Sequence, residues 1–465
     1  MPAIEHVVVL MFENRSFDSM LGKLYPTDGT FDGLSGAESN VFAGRSVPVW
    51  SSEKMDPLSA CIPDPDPGEL FADMNTQLFG NPAGSGAVTM GGFVSNYISQ
   101  KSEASSDPRA PMHYFRPEQL PVMSTLAKAF GVSDRWYASA PCQTWPNRFF
   151  AHTATALGCV NNSQFPIPFP APSIFRRLES HNKTWRVYFH DLPQSLLLED
   201  LWLVAPLHFR FMGQFFADAH TGALPNYSFI EPRYFANPIV REIPSDQHPP
   251  HDVVYGEQLL ALVYNALRQS PCWKKTLFVV TYDEHGGTYD HLSPPSAISP
   301  DANSQNGFTF NRYGVRVPAL IISPYVAQGS KIRPTNIKGA GTELPFPFDH
   351  TSIIATLRKV FDLGDPFTAR DSVAPDLLPA LNLASPVNLG PPTVSVPIVP
   401  VTTARSVASA TMPSNHMQAN LARMAYALPV GDGRQFTPTL HQIEISSLPL
   451  LATIARDRVK AFLRA

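Results

Sequence analysis

The chain has no excess of basic residues: 35 lysines and arginines stand against 39 acidic side chains, a net charge of −4 over 465 residues. That balance draws no polyanion, so nucleic acid is excluded as a partner on electrostatic grounds. Cysteine is scarce too. Cys61, Cys142, Cys159 and Cys272 are widely spaced with no Cys-x-x-Cys pair, which excludes a zinc ribbon. One or two disulfides fit that count, and reduced core thiols are the commoner outcome. No run of about 18 apolar residues occurs, so no membrane-spanning helix is expected. The amino terminus enters a strand-like run at once, without a basic region or an apolar signal core. The expectation is a cytoplasmic protein, or one exported by a route that needs no cleaved signal. Charged residues are only 16%, whereas prolines number 47 and aromatics reach 11%. Disordered proline-rich chains lack such aromatics, so this composition describes long, packed connections on a globular scaffold of one large domain or two to three smaller ones.

The residues present are organised around 276–291. Leu277 to Tyr282 is β-branched and aromatic and reads as a buried strand. It ends in Asp283, Glu284 and His285, followed by two glycines that impose a turn. Acids at the carboxyl end of a buried strand lie where open α/β sheets bind ligands, and hard oxygen donors there suit a metal. An exposed acidic turn is the competing explanation. Residues 4–12 repeat the theme, an apolar run ending in Glu13, Asn14, Arg15, Ser16, Phe17 and Asp18. Parallel strands place such ends on one edge of a sheet, although Glu13-Asn14 also suits a helix cap.

Residues 23–115 are rich in Gly, Pro, Ser and Asp, with periodic segments only near 69–79 and 91–100. They read as an excursion covering the strand edge. A helix over 121–130 and a short strand over 132–138 follow. Cys142-Gln-Thr-Trp-Pro-Asn-Arg148 then opens a helix over 148–156, with Thr144 as either a plain cap or a nucleophile at a helix amino terminus, where backbone N–H groups and the dipole favour an oxyanion. Further on, helices are expected over 172–181, around 206–219, 253–270 and 352–361, and strands over 184–189, 226–230 and 313–323. His248, His251 and Asp252 cluster before one helix start and His350 stands at another. A Pro/Val-rich stretch from 384 to 401 reads as a linker or clasp, with helices near 414–427 and 447–463 beyond it. The alternation of strands and helices argues for a mostly parallel sheet with helices on both faces.

Five motifs occur in order: Glu-Asn-Arg-Ser-Phe-Asp (13–18), Thr-Trp-Pro-Asn-Arg (144–148), His-Pro-Pro-His-Asp (248–252), Tyr-Asp-Glu-His-Gly-Gly (282–287) and Asp-His-Thr-Ser (349–352). Together they resemble the phosphoesterase family of bacterial phospholipases C, plant non-specific phospholipases C and related acid phosphatases. The resemblance spans roughly residues 4–380, and it implies an α/β fold of alkaline-phosphatase type with a smaller carboxyl-terminal region. On that basis residues 1–385 are the catalytic domain, with 23–115 covering its active site, and 386–465 a helical clasp. It implies a divalent metal ion (Ca, Mg, Mn or Zn) held by Glu13, Asn14, Asp283, Glu284 and Thr144, with Thr144 as nucleophile. His248, His251 and His350 are expected as acid, base or phosphate donors, and Glu69, Asn147, Arg148, Asp252 and His285 as residues that meet the substrate.

Two details refine the expectation. Sulfatases of the wider superfamily place a cysteine at the first position of Cys-x-Pro-x-Arg, where this chain has Thr144, so sulfatase chemistry is set aside and Cys142 is incidental. Asp66-Pro-Gly-Glu69 stands where plant relatives usually carry Asp-Pro-Gly-His, and Met90-Gly91-Gly92-Phe93 replaces Met-Asn-Gly-Phe; a carboxylate in that pocket would repel a phosphodiester, so the resemblance carries least weight for substrate choice. The implied activity is a phospholipase C acting on phosphatidylcholine-like lipids, with an acid phosphatase on soluble monoesters as the alternative. Peripheral membrane contact fits a lipid substrate, and the aromatic stretch of Trp202, Phe209, Phe211, Phe215 and Phe216 either supplies an apolar approach or packs in the core.

Overall fold

The structure is a computed structural model, and it describes residues 2–100, 107–236, 242–334, 346–398, 416–430 and 448–464. In chain order its strands are β1 (His6–Phe12), a hairpin of β2 (Ser39–Phe42) and β3 (Arg45–Pro48), then β4 (Gly131–Ser133), β5 (Trp185–Phe189), β6 (Phe209–Phe211), β7 (Tyr227–Glu231), β8 (Thr276–Tyr282), β9 (Ala319–Ile322) and β10 (Ser330–Lys331). Apart from the hairpin they form one eight-stranded sheet in the order β10-β4-β9-β8-β1-β7-β5-β6. Every residue of β1 from Val7 to Phe12 is buried, on both alternating faces. A strand covered on both sides reads as a continuous apolar run, the pattern of a parallel sheet packed between helices. One helical group joins Pro121–Ala129, Met212–Thr221 and Val253–Gln269, and another joins Thr144–Thr153, Ile174–Ser180 and Thr351–Phe361.

β1 pairs in parallel with β7 and β8, β5 with β7 and β6, and β10 with β4. β9 alone runs against its neighbours β8 and β4. The expected strand over 313–323 is therefore shorter and reversed. The chain leaves β8 at the carboxyl edge and returns through loops, without a crossover helix, so the next strand can only run back. Residues 315–317 instead bond to the segment after β4, with Ala138 N donating to Val315 O and Val317 N to Trp136 O.

The segment expected as a cover has its own small apolar cluster, in which Leu34, Val47, Leu78 and Phe93 pack with Tyr289 and Val315 of the main domain. Its helices Phe71–Phe79 and Phe93–Ser99 match the periodic segments. All four cysteines are free. Part of the stretch expected as a linker, 399–401, lies outside the described residues. Before it, Gln258 and Asn265 of helix Val253–Gln269 donate to Pro397 O and Val394 O, so the chain is strapped along that helix.

Buried histidines give the fold a pH dependence. His152 sits among the rings of Phe149, Phe175 and Phe229, and burial, helped by the nearby Arg148 charge, pushes it down to about 3. Burial likewise takes His113 down to about 3. Each imidazole is neutral in the folded protein and takes a proton near pH 6.5 once unfolded, so stability is lost as pH falls below 6.5. Between pH 7 and pH 5 each costs about 2 kcal/mol. Denaturant midpoints at the two pH values check this, and His152→Phe is expected to remove about half of the loss assigned to the pair.

Candidate active site

The site is built where β1 and β8 end. Their register sets Phe12 beside Tyr282, so the next residues, Glu13 and Asp283, emerge as neighbours. Asn14 N then donates to Asp283 Oδ1 at 2.9 Å. Asn14 adopts the left-handed conformation, φ 53°, which asparagine tolerates better than most side chains. Gly286 makes room for it, since a Cβ there would lie 2.3 Å from Asn14 O.

Thr144 meets this pair from the side. The helix starts at Thr144 itself, with Gln143 as its cap, rather than at Arg148. Two features explain the earlier start. Pro146 lies in the first turn, where a missing N–H costs no helical bond, and the side chain of Asn162 accepts from Trp145 N at 2.8 Å. Thr144 Oγ1 stands 3.4 Å from both Glu13 Oε2 and Asn14 Oδ1.

The pocket is crowded with carboxyl groups. Glu13, Glu69, Asp283 and Glu284 are all buried. Burial first, then repulsion from Asp283, pushes the Glu13 carboxyl up, with Arg148 opposing; burial and repulsion from Glu69 and Asp283 raise Glu284. Arg148 donates to Glu13 Oε1 at 2.7 Å and to the carbonyls of Met11 and Phe12, with its Nε 3.6 Å from Asp283 Oδ2. It is a buried counter-charge beneath the strand ends. Among the described residues, no hydrogen bond reaches Asp283 Oδ2 or Glu284 Oε1. Buried carboxylate oxygens without donors, beside the hydroxyl of Thr144 and the amide oxygen of Asn14, fit a divalent cation with hard oxygen ligands.

Tight carboxylate–histidine groupings also occur at Asp18–Asp290–His291 and at Asp66–Glu69–His248. The first already holds a cation: Arg316 donates to Asp18 Oδ1 at 2.9 Å and to Asp290 Oδ1 at 3.0 Å. The second adjoins the strand ends, with Asn14 Nδ2 2.8 Å from Glu69 Oε2 and 3.0 Å from His248 Nε2. Burial disfavours charge on His248, but Asp66 and Glu69 outweigh it and hold the imidazole well above its ordinary range.

The other expected residues divide by what their side chains touch. His251 Nδ1 lies 2.7 Å from Asp246 Oδ1, and among the described residues no hydrogen bond engages its Nε2. His350 has both ring nitrogens engaged, Nε2 with Asp283 O at 2.6 Å and Nδ1 with Trp136 Nε1 at 3.3 Å, and burial lowers its pKa. His285 is clamped between Glu284 at 3.3 Å and Gln77 at 2.7 Å. The Asn147 amide is spent on backbone groups of Ala140, Cys142 and Gln143, fastening the turn that delivers Thr144. Asp252 caps helix Val253–Gln269 through Val254 N at 2.9 Å. Of the aromatic stretch, Phe209 and Phe215 are core, Trp202 and Phe216 are partly buried, and Phe211 is 44% exposed.

Three supporting residues were not singled out from the sequence. Asp246 orients His251. Gln194 Nε2 donates to Glu13 Oε1 at 2.6 Å. Glu231 accepts from Gln194 N at 2.7 Å and from the Tyr234 hydroxyl at 3.1 Å. Glu231 had a visible signal, because a third apolar strand ending in an acid repeats the theme of Glu13 and Asp283.

The phosphoesterase family model matches residues 4–364. Non-specific phospholipase C1 of Arabidopsis thaliana is 39% identical over 386 residues, covering 80% of this chain and 69% of its own length. Non-specific phospholipase C5 of the same plant is 37% identical over 411 residues, covering 85% and 77%. Phospholipase C A of Mycobacterium tuberculosis (strain ATCC 25618 / H37Rv) is 27% identical over 455 residues, covering 85% and 80%. Among solved structures, the lipoteichoic acid synthase LtaP from Listeria monocytogenes overlaps 59% of this chain and 69% of its own, at 14% identity and a TM-score of 0.32.

A cation held by these carboxylates stabilises the fold by mass action, by about 2.7 kcal/mol at a hundredfold excess over Kd. Chelation is therefore expected to lower the melting temperature and added divalent metal to restore it. Asp283→Asn is expected to lower the bound metal measured by elemental analysis and to make melting insensitive to chelator.

Proposed function

The chain belongs to the phosphoesterase family, and from that premise we propose that it is a phosphoric ester hydrolase of the phospholipase C type. Its substrates are phosphatidylcholine-like lipids, and it releases diacylglycerol and a phosphorylated head group. The observation that carries the proposal is the placement of Thr144, a buried hydroxyl at a helix amino terminus, 3.4 Å from both Glu13 and Asn14 at the paired strand ends. That is where a nucleophile gains from helix dipole and N–H groups as phosphoryl charge arrives.

Glu13, Asn14, Asp283, Glu284 and Thr144 would hold the divalent cation, which would lower the pKa of the hydroxyl and neutralise phosphoryl oxygens. The remaining chemistry belongs to the chain. Glu13 Oε2 is the nearest carboxylate acceptor for the Thr144 proton. Thr144 Oγ1 forms the new P–O bond as the bond to the glycerol oxygen breaks, leaving a phosphothreonine. His251, oriented by Asp246, gives a proton from Nε2 to the departing oxygen and takes one from the water that then cleaves the phosphothreonine. His248, beside Asp66 and Glu69, stands at the edge of this site toward the phosphoryl group. His350 keeps the Asp283 backbone in place.

Incubation with phosphatidylcholine and, separately, p-nitrophenyl phosphate tests this. Diacylglycerol is the expected lipid product, and Thr144→Ala is expected to lose about 10⁴-fold or more in turnover. Nitrophenol alone, with no diacylglycerol, would assign the chain to soluble monoesters. His251→Asn is expected to cost ~10²–10⁴-fold with an alkyl leaving group and much less with nitrophenol, which departs without a proton. An equal loss on both substrates would remove His251 from the acid role.

A further inference from the structure

We propose that Glu69 is a positioning residue for Asn14, setting which way its amide faces and so completing the cation site. The inference rests on Asn14 being a ligand, as argued above. Asn14 Nδ2 donates to Glu69 Oε2 at 2.8 Å. A carboxylate can only accept, so the amide nitrogen must face Glu69 and the amide oxygen must face away. The opposite side is where Thr144 Oγ1 stands, 3.4 Å from Asn14 Oδ1. A flipped amide would set oxygen against oxygen where Glu69 is 3% exposed and little water screens the repulsion.

Rotation of that amide is the main freedom left to Asn14. Its backbone N–H is bonded to Asp283 Oδ1, and Gly286 packs against its carbonyl. Glu69 is equally constrained. Its Oε1 lies 3.5 Å from His248 Nε2. Gln77 donates to Gly68 O at 2.7 Å while its own amide oxygen meets His285 Nε2 at 2.7 Å. Gly287 brings this loop close, because a Cβ there would lie 2.6 Å from Pro67 Cβ and 2.8 Å from Gly68 O. The segment over 23–115 thus contributes to the cation site as well as covering it.

Titration of metal-free full-length protein with Mn²⁺ by calorimetry tests this in wild type, Glu69→Gln, Glu69→Ala and Asp283→Asn. Glutamine keeps an oxygen that accepts from Asn14 Nδ2 and lacks the charge. Loss of a residue that orients a ligand typically costs about 10–100-fold in metal affinity, so Glu69→Ala is expected to fall by that much and Glu69→Gln by less than about threefold. Equal losses in the two variants would overturn the proposal in favour of direct ligation by the carboxylate charge. Unchanged Mn²⁺ affinity in Glu69→Ala would overturn it in favour of a substrate contact. Melting of the metal-free proteins separates either result from misfolding. Equal Mn²⁺ binding by wild type and Asp283→Asn would sink the cation site itself, a failure distinct from that of Glu69.

Discussion

Everything at the catalytic edge depends on the in-register parallel pairing of β1 with β8. Seven consecutive residue pairs, His6 with Thr276 through Phe12 with Tyr282, fix where each strand stops. A slip of one residue would turn every side chain of one strand to the other face and separate Glu13 from Asp283. The pairing is driven by apolar burial on both faces, yet it forces two carboxylates together in a low-dielectric place. Arg148 offsets part of that repulsion, drawn up from helix Thr144–Thr153 to Glu13 and Asp283. Burial and mutual repulsion still push the Glu13 and Glu284 carboxyls up, and a divalent cation at the strand ends would favour their ionised forms.

Much of this was legible locally. An apolar run bounded by acids needs no tertiary information, so β1, β8 and their terminal residues were readable from residues 4–14 and 277–284. Partners that arrive from far away were not. The helix of Thr144 starts earlier than its own residues indicate because Asn162, outside the motif, caps Trp145. The direction of β9 depends on how the intervening chain travels. The histidines show the same limit: His251 and His350 both stand at helix starts in the sequence. Only packing reveals that one ring is turned to Asp246 with an engaged and an open side, while the other is locked between Asp283 and Trp136.

Glycine explains why the covering segment comes so close. Gly286 and Gly287 both have positive φ, 58° and 65°, and any side chain at either would strike Asn14 or the Pro67-Gly68 turn. The two glycines that follow Asp283-Glu284-His285 thus act as spacers of minimum width. They let backbone pack against backbone, which delivers Glu69 and Gln77 to a site formed by strands far from them in sequence.

The last described helices brace the same centre from behind. Arg423 of His416–Ala427 donates to the carbonyls of Asn162, Ser163 and Phe165, the loop whose Asn162 side chain caps helix Thr144–Thr153. Gln418 donates to Tyr234 O, and Tyr234 leads through Glu231 and Gln194 to Glu13. Arg458 of Leu448–Phe462 ties the pair by donating to the carbonyls of Ala425, Tyr426 and Leu428, at the carboxyl end of helix His416–Ala427 and just past it. Each link is a hydrogen bond in which a side chain takes part. The position of a threonine hydroxyl near residue 144 is therefore set partly by arginines about 280 and 310 residues further along, which is why no local motif could have shown it.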